Sequence, residues 1–302
     1  MGWFEERGGL DGTVAVVTGG AGGIGEAVVS DLAANGVRVA VIDIDEKAAT
    51  RLARSLPDAI VQHGDARDTE ALSALFAAVD ERWGRLDTLV NIVGGTFRAS
   101  FVDTTPKGWD ALLRTNLHHV LQACALAVPR MRASGRGGSI VNLTTIEAHR
   151  AAPGFAVYSA AKAAVEQFAR TLAVEVAPDG IRVNNVAPDF VPTPRLAALA
   201  GGDDTSAGVG VTIPMGRAGR VTDVSGCVVF LASGLSGYVT GTTLHPDGGT
   251  FASSGWLNWP GSGWSTQPPA HLLAARDSSA DRLLPGEFGC DGGAGAAAIR
   301  ST

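Results

Sequence analysis

Between Thr13 and about Gly249 the chain alternates short apolar, largely β-branched runs with longer Ala-rich amphipathic stretches. The runs occupy 14–18, 37–42, 59–63, 88–91, 139–143, 182–186 and 242–245. Runs this apolar predict strands buried on both faces, as in a parallel sheet. The intervening patterns predict helices over 23–35, 45–55, 68–83, 107–132, 154–177 and 221–232. Asn35-Gly36 ends the first of these and Pro178-Asp179-Gly180 the fifth. Strands and helices alternating in this order predict βαβ units, an α/β fold with a doubly wound parallel sheet.

The pattern stops near Thr250, where Gly, Ala, Ser and Pro take over. The expected division is therefore 1–250 as one catalytic domain and 251–302 as a C-terminal extension. Within the extension, 250–265 is expected to fold against the body through Trp256, Trp259 and Trp264, and poor order is expected from about 266 onward. A chain of 302 residues is long enough to bury a sizeable core. Its formal charge of −6 argues against nucleic acid or an anionic membrane as partner. No apolar run reaches the roughly 18 residues of a membrane span, and Glu5 and Glu6 stand where a signal peptide needs cations. Cys124, Cys227 and Cys290 are odd in number and far apart, which excludes a disulfide framework and zinc spacing. The expectation is a cytoplasmic protein with reduced thiols and no metal.

Chemistry enters directly after the first run, at Thr18-Gly19-Gly20-Ala21-Gly22-Gly23-Ile24-Gly25. Glycines between a strand and a helix allow a tight turn, admit a pyrophosphate to the backbone and let the helix pack close. The helix N-terminus adds N–H groups and a positive dipole end for the anion. Asp43 ends the second run, where a carboxylate accepts hydrogen bonds from adenosine ribose hydroxyls and repels a 2′-phosphate. No Lys or Arg replaces it or directly follows it, so the cofactor expected is NAD rather than NADP. Asp45 better suits the cap of the next helix.

Together with this loop, Tyr158-Ser159-Ala160-Ala161-Lys162 resembles the short-chain dehydrogenase/reductase family, single-domain type, over roughly residues 10–250. The resemblance implies a seven-stranded Rossmann sheet of order 3-2-1-4-5-6-7. It implies cofactor contacts from Gly19, Gly23, Ile24, Gly25 and Asp43, with Asp65 facing the adenine. Asn91-Ile92-Val93-Gly94 resembles the motif closing the fourth strand, so Asn91 and Gly94 join the cofactor set. Asn116 stands where the family keeps a catalytic asparagine. The segment 188–193 resembles the one that holds the nicotinamide carboxamide, with Pro188, Val191 and Thr193 at contacting positions. Asp247-Gly248-Gly249 resembles the ending of the last strand. A homotetramer joined through the fourth and fifth helices is also implied.

Tyr158 and Lys162 lie four apart and so share one helix face. A free tyrosine, with a pKa near 10, is a poor base; an ammonium within about 4–6 Å lowers that value by roughly 1–3 units. The expectation is a primed phenol that exchanges a proton with a substrate oxygen during hydride transfer. The family implies that Lys162 also binds the nicotinamide ribose and that Asn116 holds a water joining Lys162 to solvent. The glycine loop, Asp43, Asp65, Asn91–Gly94, Thr144-Thr145 and Pro188–Thr193 each follow a predicted strand, at the sheet edge where open α/β folds bind ligands.

Some positions depart from the family pattern. Thr145 replaces the usual serine thirteen residues before Tyr158, and its hydroxyl can still donate to a substrate oxygen, with Thr144 as the alternative. Asp189 replaces a glycine, tolerated there through asparate's ease in left-handed backbone. Its charge near the nicotinamide end is expected to favour the oxidised ring. Ile92 and Val93 replace smaller or more polar residues. Glu147, His149 and Arg150 are expected to border the substrate pocket; His149 is a conceivable second proton carrier, a role Tyr158 already fills. The segment 195–215 is expected to be a mobile lid.

The function expected is reversible hydride transfer between NAD(H) and a secondary alcohol or ketone, with an alicyclic or steroid-like substrate favoured. The alternatives are a 3-oxoacyl-thioester reductase and, from another class, a dinucleotide-binding sensor or scaffold that has lost catalysis.

Overall fold

Strand β1 (Val14–Thr18) is buried at every position. Its side chains alternate between two cores, Val14 and Val16 on one face and Ala15 and Val17 on the other. That two-sided burial recurs along the sheet and explains why its strands are apolar throughout. The structure is a computed structural model and describes residues 2–194, 196 and 208–272. The remaining strands of the main sheet are β2 (Arg38–Asp43), β3 (Ile60–His63), β4 (Thr88–Asn91), β5 (Gly138–Leu143), β6 (Ile181–Val186) and β7 (Thr243–Leu244). All pairings are parallel and the order is β3-β2-β1-β4-β5-β6-β7, the predicted Rossmann arrangement.

One core packs Ile42, Leu89, Ile140 and Val183 against the helices α4 (Thr69–Trp83), α6 (His119–Ser134) and α7 (Ala156–Val176). The other packs Val17, Val41, Val90 and Val141 against α2 (Ile24–Ala34), α3 (Glu46–Ser55) and the helix Val221–Ala232. A short α1 (Trp3–Gly8) precedes the sheet. Asp45 caps α3 by accepting from the Ala48 N–H at 2.9 Å, as the sequence predicts.

Two expectations need correction. The helix predicted over 107–132 is three pieces: α5 (Pro106–Leu113), a π turn at Arg114–His118, and α6. The Asn116 side chain donates to the Leu112 carbonyl at 2.9 Å, a local bond that competes with the regular helical ladder. In the extension, β8 (Leu257–Trp259) and β9 (Gly263–Ser265) form an antiparallel hairpin. Trp256 is 52% exposed and Trp264 47%, so these two rings are not buried against the body. Most of the predicted lid, at 195 and 197–207, lies outside the described residues, as does the extension beyond 272. The helix Val209–Thr212 falls within the lid's predicted range.

The turn from β1 to α2 is fixed by contact at the backbone. Gly19 and Gly23 have φ of 73° and 55°, in the left-handed region. A Cβ at Gly25 would lie 2.0 Å from the Gly19 carbonyl oxygen, whereas one at Gly22 would meet open space. Gly25→Ala should therefore displace the turn, lowering stability by about 3 kcal/mol and weakening dinucleotide binding. Gly22→Ala serves as the control. Urea unfolding of both variants checks this, and equal midpoints would refute the close-packing account.

Candidate active site

Because all seven main strands run the same way, their carboxyl ends place the candidate residues along one edge. The Asp43 carboxylate accepts from the Ala21 N–H at 2.9 Å and from the Asp45 N–H at 3.0 Å. It therefore stands against the glycine turn, which the Gly19 N–H also ties to Ile42 through its carbonyl at 2.8 Å. The Thr193 methyl comes within 3.3 Å of a Cβ built on Gly23, bringing the segment after β6 to the mouth of the same turn. Val191 is buried in the core beneath.

Asp65 follows β3 as expected, but its carboxylate is paired. Arg67 donates to it from Nε at 2.9 Å and from Nη2 at 2.6 Å, and also reaches Thr115 at 3.3 Å. Although burial opposes the charge, the hydrogen bonds and charge of Arg67 hold Asp65 below its ordinary pKa. Nothing in the sequence marks Arg67 as the partner of Asp65. The Asn91 side chain is also engaged, donating to the Asn142 side chain at 2.9 Å. Asn142 donates to Asn185 at 3.2 Å and Asn185 to Thr243 at 3.3 Å, so a polar ladder crosses four strands. The Asn91 amide is thus turned into the sheet.

Lys162 is 3% exposed, and its Nζ donates to the Leu143 carbonyl at 2.8 Å. A Cβ at Gly94 would sit 3.2 Å from that Nζ and 3.3 Å from Asn116 Oδ1, so Gly94, Lys162 and Asn116 converge. The Asn116 amide brackets Gly95, accepting from its N–H at 3.1 Å and donating to its carbonyl at 2.7 Å. With Leu112 taking the second donor, only one Oδ1 lone pair is left for a water. His119, buried nearby, is kept neutral, with burial first and the charge of Lys162 second in lowering its pKa to about 3.

Tyr158 lies in the first turn of α7, with the Thr145 hydroxyl beside its phenol. The pKa of the phenol is raised. Desolvation by closely packed protein pushes its pKa up to about 12; Thr145, as a hydrogen-bond partner, lowers it and the Glu147 charge raises it further. Lys162 shares the helix face without offsetting that desolvation. The two threonines diverge: Thr145 accepts from the Glu147 N–H at 3.3 Å, while Thr144 donates into the interior, to Glu166 at 2.8 Å. The alternative role for Thr144 therefore fails on direction. Asp189 is not left-handed, since Ser254 is the sole non-glycine with positive φ among the described residues. Its carboxylate pairs with Arg150 at 3.1 Å, which offsets the charge expected to act on the nicotinamide ring. Arg150 also holds Glu147 at 2.9 Å.

A family model described as Enoyl-(Acyl carrier protein) reductase matches residues 19–250. The 3-oxoacyl-acyl-carrier-protein reductase FabG of Haemophilus influenzae is 35% identical over 247 residues, 81% of this chain and 100% of that one. The NADP-dependent (R)-specific alcohol dehydrogenase of Lentilactobacillus kefiri is 35% identical over 80% of this chain and 97% of its own. Among solved structures, a short-chain type dehydrogenase/reductase from Mycobacterium marinum superposes with a TM-score of 0.75 at 28% identity, covering 80% of this chain and 96% of that one. The chain belongs to the short-chain dehydrogenase/reductase family. It is accordingly an oxidoreductase for hydroxyl and ketone carbons, of a family that uses a nicotinamide dinucleotide. The local geometry fits such a cofactor: the glycine turn leaves no room for a Cβ at Gly25, and Asp43 is oriented beside it.

The buried amine gives the site a pH signature. Desolvation lowers the Lys162 pKa from 10.5 to about 8, against the raising effect of Glu166. Between those values the unfolded chain binds the extra proton, so the Lys162 contribution to stability rises with pH by up to about 3 kcal/mol. Below pH 8 the full penalty is present. In chemical denaturation of wild type and Lys162→Met, the difference should move in favour of wild type from pH 8 to 10.5. A flat difference would mean that the amine is solvated.

Proposed function

We propose that this chain is an NAD(H)-dependent oxidoreductase interconverting a secondary alcohol and a ketone, with Tyr158 as acid/base. The observation carrying this reading is the grouping of Thr145, Tyr158 and buried Lys162 at the carboxyl edge, alongside the glycine turn and Asp43. Gly19, Gly23, Ile24 and Gly25 would hold the pyrophosphate, and Asp43 the adenosine ribose. Asp65 and the main chain at Asn91 and Gly94 would border the adenosine half, and Pro188, Val191 and Thr193 the nicotinamide. When bound there, the dinucleotide supplies the hydride donor or acceptor.

In reduction, the Tyr158 hydroxyl gives its proton to the substrate oxygen; in oxidation the phenolate takes it back. A phenol with a pKa near 12 is well suited to hold that proton, and becomes a useful base only when positive charge is brought beside it. Thr145 donates a hydrogen bond to the same oxygen as charge develops there. Lys162 holds the nicotinamide ribose and adds positive charge, and Asn116 orients a water beside it.

Asp43 favours NAD because a 2′-phosphate would meet its carboxylate. An alicyclic or steroid-like alcohol suits the apolar residues of 195–215. A second reading, 3-oxoacyl-thioester reduction, is favoured by the similarity to FabG but disfavoured by Asp43. We also propose residues 1–250 as the catalytic unit with 251–302 appended, a homotetramer joined along α6 and α7, and a cytoplasmic location.

The deciding experiment combines NADH fluorescence titration with turnover of cyclic alcohols, steroids and acyl thioesters using each dinucleotide. Turnover of cyclic or steroid alcohols with NAD supports the proposal; acyl thioesters with NADPH would transfer it to the second reading. Tight NADH binding without turnover would indicate a sensor or scaffold. Thr145→Ala should lower kcat by about 10²–10³-fold and leave NADH affinity nearly unchanged; undiminished kcat would remove Thr145 from the mechanism.

A further inference from the structure

Thr145 and Tyr158 come from different elements, so their relative placement needs a common anchor. Thr145 stands in the segment 144–149 that leaves β5, whereas Tyr158 rides on α7. Glu166 follows Tyr158 and Lys162 at steps of four on that helix, and is 2% exposed. Its Oε1 accepts from Thr144 Oγ1 at 2.8 Å. His149 Nε2 lies 3.0 Å from the same oxygen and 2.9 Å from Oε2, and must be the donor if the carboxylate is ionised.

Thr144 and His149 are the two ends of that segment, so one carboxylate clasps both ends against α7. The His149 ring is also wedged at its flank, with centroids 4.5 Å from His245 and 5.2 Å from Phe251. Burying a carboxylate is costly unless its oxygens are well satisfied. Arg170, at 3.6 Å and half exposed, is too far for a good hydrogen bond, leaving Thr144 and His149 as the close partners.

We propose that Glu166 is a positioning residue which, acting through Thr144 and His149, sets the Thr145 hydroxyl against Tyr158. This rests on the oxidoreductase reading for its consequence in turnover, but the clasp itself can be measured without turnover.

The chain has two tyrosines, and Tyr238 is fully exposed. In a Tyr238→Phe background, tyrosine labelled with ¹³C at Cζ therefore gives a single NMR resonance, from Tyr158. Thr145→Ala in that background defines the displacement caused by losing the threonine hydroxyl. Glu166→Gln and His149→Phe should each move the resonance towards the Thr145→Ala position. Each should also lower kcat about tenfold while leaving the dinucleotide KM unchanged. His149→Gln, whose amide can still donate to the carboxylate, should restore most of both effects.

If Glu166→Gln does not fold, the His149 pair decides. An unmoved resonance in folded His149→Phe protein would overturn the inference, as would equal losses in His149→Phe and His149→Gln. Resonance shifts in a protein that turns over no alcohol or ketone would sink the oxidoreductase reading and leave the clasp intact.

Discussion

An amine removed from bulk solvent is the constraint around which this edge of the sheet is organised. Lys162 is almost wholly buried, and its Nζ donates to the Leu143 carbonyl at the end of β5. Desolvation alone would drive the amine towards neutrality, and the charge of Glu166 on the next turn resists that. Asn116 and Gly94 close over the amine from the other side. A side chain larger than hydrogen at position 94 would press on both, so Gly94 is favoured here by close approach and not by its backbone angles.

The central sheet supplies rigidity to that arrangement through more than apolar packing. Asn91, Asn142, Asn185 and Thr243 join β4, β5, β6 and β7 by side-chain bonds of 2.9 Å, 3.2 Å and 3.3 Å in turn. These amides lie close to the strand ends from which the site loops depart. Buried polar groups are tolerable when each finds partners and expensive when one does not. Asn91 Oδ1 is left without one. The ladder consequently fixes the relative heights of four strands at the site, with one polar atom left unsatisfied.

The fold was legible because burial on both faces of a parallel strand leaves a strong apolar run, and β1 to β6 were each located within one residue at either end. The family motifs were legible because they stand at strand ends in a fixed order. What escaped was side-chain pairing across long sequence separations. Arg67 cannot be distinguished in sequence from a solvated arginine, yet it engages Asp65 and Thr115. Glu166 reads as one polar residue on an amphipathic helix until Thr144 and His149 are seen to meet it. The π turn escaped because the side-chain bonds Asn116 makes there, to Leu112 and Gly95, leave no mark on an otherwise helical pattern. Spacing of four guarantees a shared face but does not measure desolvation, which raises the pKa of the phenol.

If the chain uses NAD as proposed, Asp43 would make selectivity and loop geometry inseparable. Its two oxygens already receive the N–H groups of Ala21 and Asp45, so the carboxylate is oriented before any ribose arrives. An ionised carboxylate has further lone pairs to offer, and hydroxyl donors can use them without breaking either bond. A 2′-phosphate offers only acceptors and negative charge, so it would have to displace the carboxylate. That displacement would remove the Ala21 bond and loosen the turn that holds the pyrophosphate. On the proposed NAD reading, the penalty against a 2′-phosphate would combine charge repulsion with loss of the neighbouring anion cradle, and replacing Asp43 by a cation would have to supply a new tie to the glycine turn as well as a new charge.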